Sequence, residues 1–190
     1  MANAHKLVPF ILKWEGGFVN DPLDRGGATN KGITLKTFQY HFGKNKTVKD
    51  LKNITDEQWF EIFKEDYWDR WKADEIKNQS IANILVDWVW ASGKYGITNV
   101  QRILKVPVDG IVGPKTIQAI NNYPNQRMLF GRILTERLSF INRIVKANPS
   151  QKKFLNGWKN RIVAFKYFDD GQDKQTYVNG SLNKSYQIGI

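Results

Sequence analysis

Leu7, Phe10, Ile11 and Trp14 recur at the i, i+3, i+4, i+7 interval of a helix that buries one face, and the run breaks off at Glu15-Gly16-Gly17-Phe18. This break constrains the fold more than any other feature of the chain. It predicts a helix over about residues 4–15, stopped by two glycines that can take positive φ without a Cβ penalty. Glu15 is then left at the rim of an apolar core. A carboxyl there loses hydration, and desolvation favours its protonated form. A proton held at neutral pH is what a general acid needs.

Composition narrows the chemistry further. The chain has 190 residues, 41% of them hydrophobic, enough for one domain or one with a small appended lobe. It contains no cysteine and only two histidines, His5 and His41. Disulfides and thiolate metal sites are therefore excluded, and a histidine-based machine or metal centre is not expected. No metal or cofactor is predicted, so carboxylates are the chemistry that is left. No apolar run is long enough to cross a bilayer as a helix.

The net charge is +11, and it is unevenly placed. Residues 125–168 carry ten Lys and Arg against Glu136 alone. Such a field suits a polyanionic partner: nucleic acid, an anionic membrane surface or a cell wall. No helix-turn-helix or zinc-finger spacing accompanies the charge, so a nucleic-acid partner is not expected.

Helical signals dominate the rest. Thr34 reads as the N-cap of a short helix to His41, and Thr55 with Gln58 has the capping-box pattern. The helix behind Thr55 aligns Trp59, Phe63 and Tyr67 on one face. Ser80 reads as the cap of a helix over about 81–92. Pro114 behind Gly113 suits a first helical position. A long helix is predicted over about 125–148 and a last helical stretch over about 150–168. Residues 169–190 are polar and lack helical period, a loosely attached tail.

The loop between residues 16 and 32 is the second concentration of chemistry. Asp21, Asp24, Arg25, a Gly pair and Thr29 fall within it. Long loops inside compact domains are more often functional than connective. Asp24, beside Arg25 and more exposed than Glu15, should stay ionised. One protonated and one ionised carboxyl are what glycoside hydrolysis requires. Residues 15–34, from Glu15-Gly16-Gly17-Phe18 through Asn20-Asp21-Pro22, Asp24, Gly26-Gly27 and Thr29-Asn30-Lys31-Gly32-Ile33-Thr34, resemble the signature of glycoside hydrolase family 108. The Glu15, Asp24, Thr29 order is also similar to the Glu–Asp–Thr arrangement of phage-type lysozymes, with the last gap one residue shorter. Tyr67-Trp68, the Asp87 to Gly93 segment and Val108-Asp109-Gly110-Ile111-Val112-Gly113-Pro114-Lys115-Thr116 extend the likeness, the last into a peptidoglycan-binding region. Ala91 departs from the family, where Asn is frequent.

The resemblance implies a mainly α, lysozyme-like fold with at most a very small β element. It divides the chain into a catalytic region over 1–95, a helical peptidoglycan-binding-like region over 96–168 packed on it, and the tail. The implied activity is that of an N-acetylmuramidase, cleaving the β-1,4 bond between N-acetylmuramic acid and N-acetylglucosamine. Glu15 would be the general acid, with Asp24 and Thr29 placing the water or stabilising the transition state; Asp21 is the rival second carboxylate. Asp87, Trp90 and Tyr95 are candidates for contact with the sugar, the two aromatics by stacking. Trp59, Trp71 and Trp88 fit the core better. Two other readings stay open: a lytic transglycosylase, and a non-catalytic wall-binding protein related to secretion, as some members of the family are described. A monomer is expected, made in the bacterial cytoplasm without a signal peptide and reaching the wall through a holin-like pore or lysis, as prophage-derived lysozymes do.

Overall fold

A computed structural model describes residues 1–20 and 27–169. The fold is mainly α, with one two-stranded sheet among the described residues. These residues form two compact units, one of residues 5–66 and one of residues 1–4 and 67–169.

In the smaller unit, α1 (Val8–Trp14) follows a 3₁₀ turn over Ala4–Lys6. Leu7 and Ile11 are fully buried and Phe10 nearly so, as the apolar stripe requires. The stop differs from expectation. Neither Gly16 nor Gly17 takes positive φ; Glu15 itself leaves the helix in an extended conformation, φ −85° and ψ 141°, while its N–H still donates to the Ile11 carbonyl.

Strands β1 (Thr29–Asn30) and β2 (Ile33–Thr34) pair antiparallel, Thr29 opposite Thr34. Lys31 and Gly32 turn between them with φ of 48° and 79°, the two positive angles a two-residue type I′ hairpin demands. The hairpin is anchored by side chains. Buried Asn30 donates from Nδ2 to the Leu51 and Lys52 carbonyls, and Trp59 donates from Nε1 to the Lys31 carbonyl at 2.9 Å.

Thr34 caps α2 (Leu35–Phe42) as predicted. Short α3 (Val48–Lys52), not foreseen, opens with a capping box of Thr47 and Asp50. The box of Thr55 and Gln58 opens α4 (Asp56–Phe63). Trp59 and Phe63 stack on one face, rings 5.3 Å apart. The chain then widens into a π turn over Lys64–Trp68, which takes Tyr67 out of the α phase shared by Trp59 and Phe63.

The larger unit is built on α5 (Gln79–Ser92), which buries ten of its residues. Its cap is Asn78, whose Oδ1 accepts from the Ile81 N–H, and not Ser80. The Ser80 hydroxyl instead accepts the Phe168 N–H. Gly96 in α6 (Tyr95–Leu104) lets two helices touch: a Cβ there would lie 2.7 Å from the Val89 nitrogen. Buried Gln101 of α6 donates to Asp109 and to the Ile111 carbonyl and accepts the Gly110 N–H, fixing the Asp109-Gly110 turn. Pro114 begins α7 (Pro114–Asn121) as expected. Asn125 caps α8 (Gln126–Ala147). A 3₁₀ segment, Pro149–Phe154, leads into α9 (Leu155–Val163), so the last helix ends about five residues before the predicted stop.

Candidate functional site

The end of α1 positions the first candidate. Glu15 sits half-buried where the helix gives way to extended chain. Four residues on, Val19 forms an antiparallel bridge with Thr29, each N–H donating to the other's carbonyl at 2.9 and 2.8 Å. This bridge closes the base of the loop, so helix end and first strand are tied together within a few residues. Thr29 is half-buried beside it. Asp21 and Asp24, between Val19 and Thr29 in sequence, lie outside the described residues.

Two groups near Glu15 in sequence add to the site. Trp14 tilts against Phe10 at 6.3 Å, and its Nε1–H is buried with no acceptor among the described residues. Phe18 lies under the Lys52 ammonium, 5.6 Å from the ring centre. The end of α1 thus carries a half-buried carboxyl, with the Thr29 hydroxyl on the strand bridged to Val19. A carboxyl can donate a proton and a hydroxyl can donate or accept a hydrogen bond.

Asp87 is placed quite differently from the sequence reading. Its side chain has no exposure, and both oxygens are occupied. Arg137 of α8 donates to Oδ2 at 2.7 Å, and Arg161 of α9 donates to Oδ1 from Nε and Nη2 at 3.0 and 2.7 Å. Burial pulls the Arg137 guanidinium below its ordinary value, Asp87 pushes it back up, and neighbouring Arg161 adds to the lowering. Asp87 ties three helices together and presents no atom to solvent.

The aromatic candidates remain at the surface of the same unit. Trp90 is half-buried with its ring 4.5 Å from that of Tyr67. Tyr95 is 56% exposed and tilts against Phe140 at 5.7 Å. Trp59, Trp71 and Trp88 are core, as their spacing indicated. Tyr67 as a partner of Trp90 was not foreseen, because the π turn breaks the interval that would have announced it.

His41 lies in the last turn of the short helix that Thr34 caps. Its side chain, 3% exposed, lies between two carboxylates of the π turn, 3.0 Å from Asp66 and 3.6 Å from Glu65. Two of the ten basic residues between 125 and 168, Arg137 and Arg161, are likewise interior groups. The surface field there is smaller than composition suggests. Among the described residues no helix is long and apolar enough to cross a membrane, and no group of three His, Cys, Asp or Glu side chains is arranged to hold a metal.

Residues 8–93 match the family model described as Glycosyl hydrolase 108, and residues 95–163 match the one described as Predicted Peptidoglycan domain. The chain is also similar to a solved structure of SagA from Brucella abortus, with a TM-score of 0.67 and 25% identity over 85% of this chain and 94% of that one. No curated protein matches. Both matched regions continue through the elements described above, and the hydrolase match takes in Glu15, Thr29 and the loop between them. Residues 8–93 form a glycoside hydrolase family 108 region and residues 95–163 a peptidoglycan-binding region, which makes the chain a glycoside hydrolase acting on peptidoglycan.

Proposed function

We propose that the chain hydrolyses the β-1,4 bond between N-acetylmuramic acid and N-acetylglucosamine, with Glu15 as general acid. The observation that carries this reading is the position of Glu15. It is half-buried at the end of α1, beside a loop base pinned by the Val19–Thr29 bridge and within the hydrolase match. In the proposed step the Glu15 carboxyl gives its proton to the glycosidic oxygen as the C–O bond breaks. Water adds to the anomeric carbon, leaving a reducing N-acetylmuramic acid end. Asp24, or its rival Asp21, takes the water's proton or faces the positive charge developing on the sugar, and the Thr29 hydroxyl helps orient the water.

Glu15→Gln tests the assignment, because it keeps shape and polarity and removes only the transferable proton. Turbidity loss of wall suspensions and release of reducing ends should fall by about 10²- to 10⁴-fold, the typical worth of a positioned general acid. Helical circular dichroism should stay unchanged. A variant as active as the parent would overturn the reading. Mass spectrometry of the parent's products decides the reaction type: free reducing ends support hydrolysis, and a 1,6-anhydro end would replace it with transglycosylation. Retention on the wall with no products at all would leave a binding protein.

A further inference from the structure

Between α6 and α8 the larger unit carries an open groove of about 500 Å³, lined by Ile103, Met128, Gly131, Arg132, Thr135 and Glu136. Its apolar part is Ile103 and Met128, the latter 57% exposed although it is a large apolar group. Gly131 stands inside α8, where a glycine weakens the helix. Packing does not require it there: its φ is not positive, and a Cβ would meet no neighbouring atom within 4 Å. What the missing side chain leaves is a notch in the wall of the groove, over which another backbone can pass closely.

Two charged side chains line this space, and they are not equivalent. Glu136 is paired with Arg143 at 2.6 Å. Arg132 donates from Nη1 to the Tyr123 hydroxyl at 2.7 Å and has no carboxylate partner among the described residues. One uncompensated guanidinium therefore sets the charge of the groove, and a guanidinium holds a carboxylate through charge-assisted hydrogen bonds. A single cation suits one carboxylate, whereas a polyanion needs a row of them. No aromatic ring is in the lining, so the groove lacks the flat face on which a sugar ring stacks. Its size falls among sites for organic ligands, which run from about 300 to about 1,000 Å³. All six lining residues lie within the peptidoglycan match. The part of that polymer that is not sugar is short peptide, bearing carboxylates and small alkyl groups.

We propose that this groove binds the peptide branches of peptidoglycan. A branch carboxylate sits on Arg132, small alkyl side chains pack against Ile103 and Met128, and the peptide backbone passes over Gly131 within reach of the Thr135 hydroxyl. The proposal rests on peptidoglycan being the partner, and uses neither Glu15 nor its chemistry.

The chain has two methionines, Met1 and Met128. Methionine ¹³C-methyl labelling therefore places one nuclear magnetic resonance reporter in the groove and one outside its lining. The probes, titrated into the full chain at constant ionic strength, are N-acetyl-L-alanyl-D-glutamate and the same dipeptide with both carboxylates converted to amides. The acid should shift the Met128 signal saturably and leave Met1 unmoved, and the amide should bind at least tenfold more weakly. Gly131→Leu fills the notch with a better helix former. It should weaken binding of the acid at least tenfold while its thermal midpoint stays at or above the parent's. Arg132→Gln should give the same loss, and serves alone if the first variant misfolds. Equal binding of acid and amide, no saturation, or unchanged binding in either folded variant would each overturn the proposal. So would a saturable Met128 shift with chitotetraose, which would make the groove a glycan site. Glu15→Gln should bind the dipeptide like the parent, so loss of the hydrolytic reading and loss of this one are read separately.

Discussion

Asp87 holds two guanidiniums inside the protein, at sequence separations of 50 and 74 residues. Removing it strands two cations at once. Asp87→Ala should cost about 3–5 kcal/mol of stability, the range for breaking a buried pair by deleting one partner, measurable as a shift in the urea midpoint. Asp109 gives a different signal, since it is a surface group. It accepts first from the Ile111 N–H and then from Gln101, which holds it below the usual carboxylate range. A depressed carboxylate stabilises the fold above its unfolded-state value, about pH 3.9. Parent and Asp109→Asn should therefore differ in thermal midpoint at pH 6, and the gap should close as pH falls through the lowered value. At this scale sequence and structure diverge most. The end of the first helix at Glu15 was legible because the apolar interval of Leu7, Phe10, Ile11 and Trp14 stops there. Asp87 was misread because its partners lie on helices that no local interval connects to it.

Helix starts were legible where the cap is a side chain acting within three residues: Thr34 and Thr55 with Gln58 both cap as read. Ser80 failed as a cap because Asn78 stands two residues earlier and reaches the same helix start first. Short α3 escaped because five residues cannot show a 3.6-residue period. The π turn has no sequence signature, so Tyr67 was placed on the wrong face. Gly96 serves a close helix contact. The Trp88 and Val89 backbone fills the space a side chain would need. Gly96→Ala should force α5 and α6 apart and cost about 1–3 kcal/mol or more, as overpacking does, with the loss read from chemical denaturation and the helical content preserved.

The scale of the whole chain brings the two matched regions into question as separable parts. The hydrolase match ends at residue 93 and the peptidoglycan match begins at 95, yet the compact units divide between residues 66 and 67. Helix α5 belongs to the first match by sequence and to the larger unit by packing. It rests on α6 and α8 and is pinned through Asp87 to α8 and α9. A fragment of residues 1–94 should therefore expose the apolar flank of α5 and aggregate, or lose the near-ultraviolet dichroism of its tryptophans. The mainly α class was legible because the apolar intervals along the chain are helical, while the small β element was implied by the family resemblance. This boundary was not, because sequence families record shared ancestry and say nothing of which helix leans on which. The interior position of α5 also bears on protein engineering. Exchanging wall-targeting modules between relatives by cutting at the short Gly93-Lys94 turn would tear a core in half, and a working chimera has to carry α5 along with the module it supports.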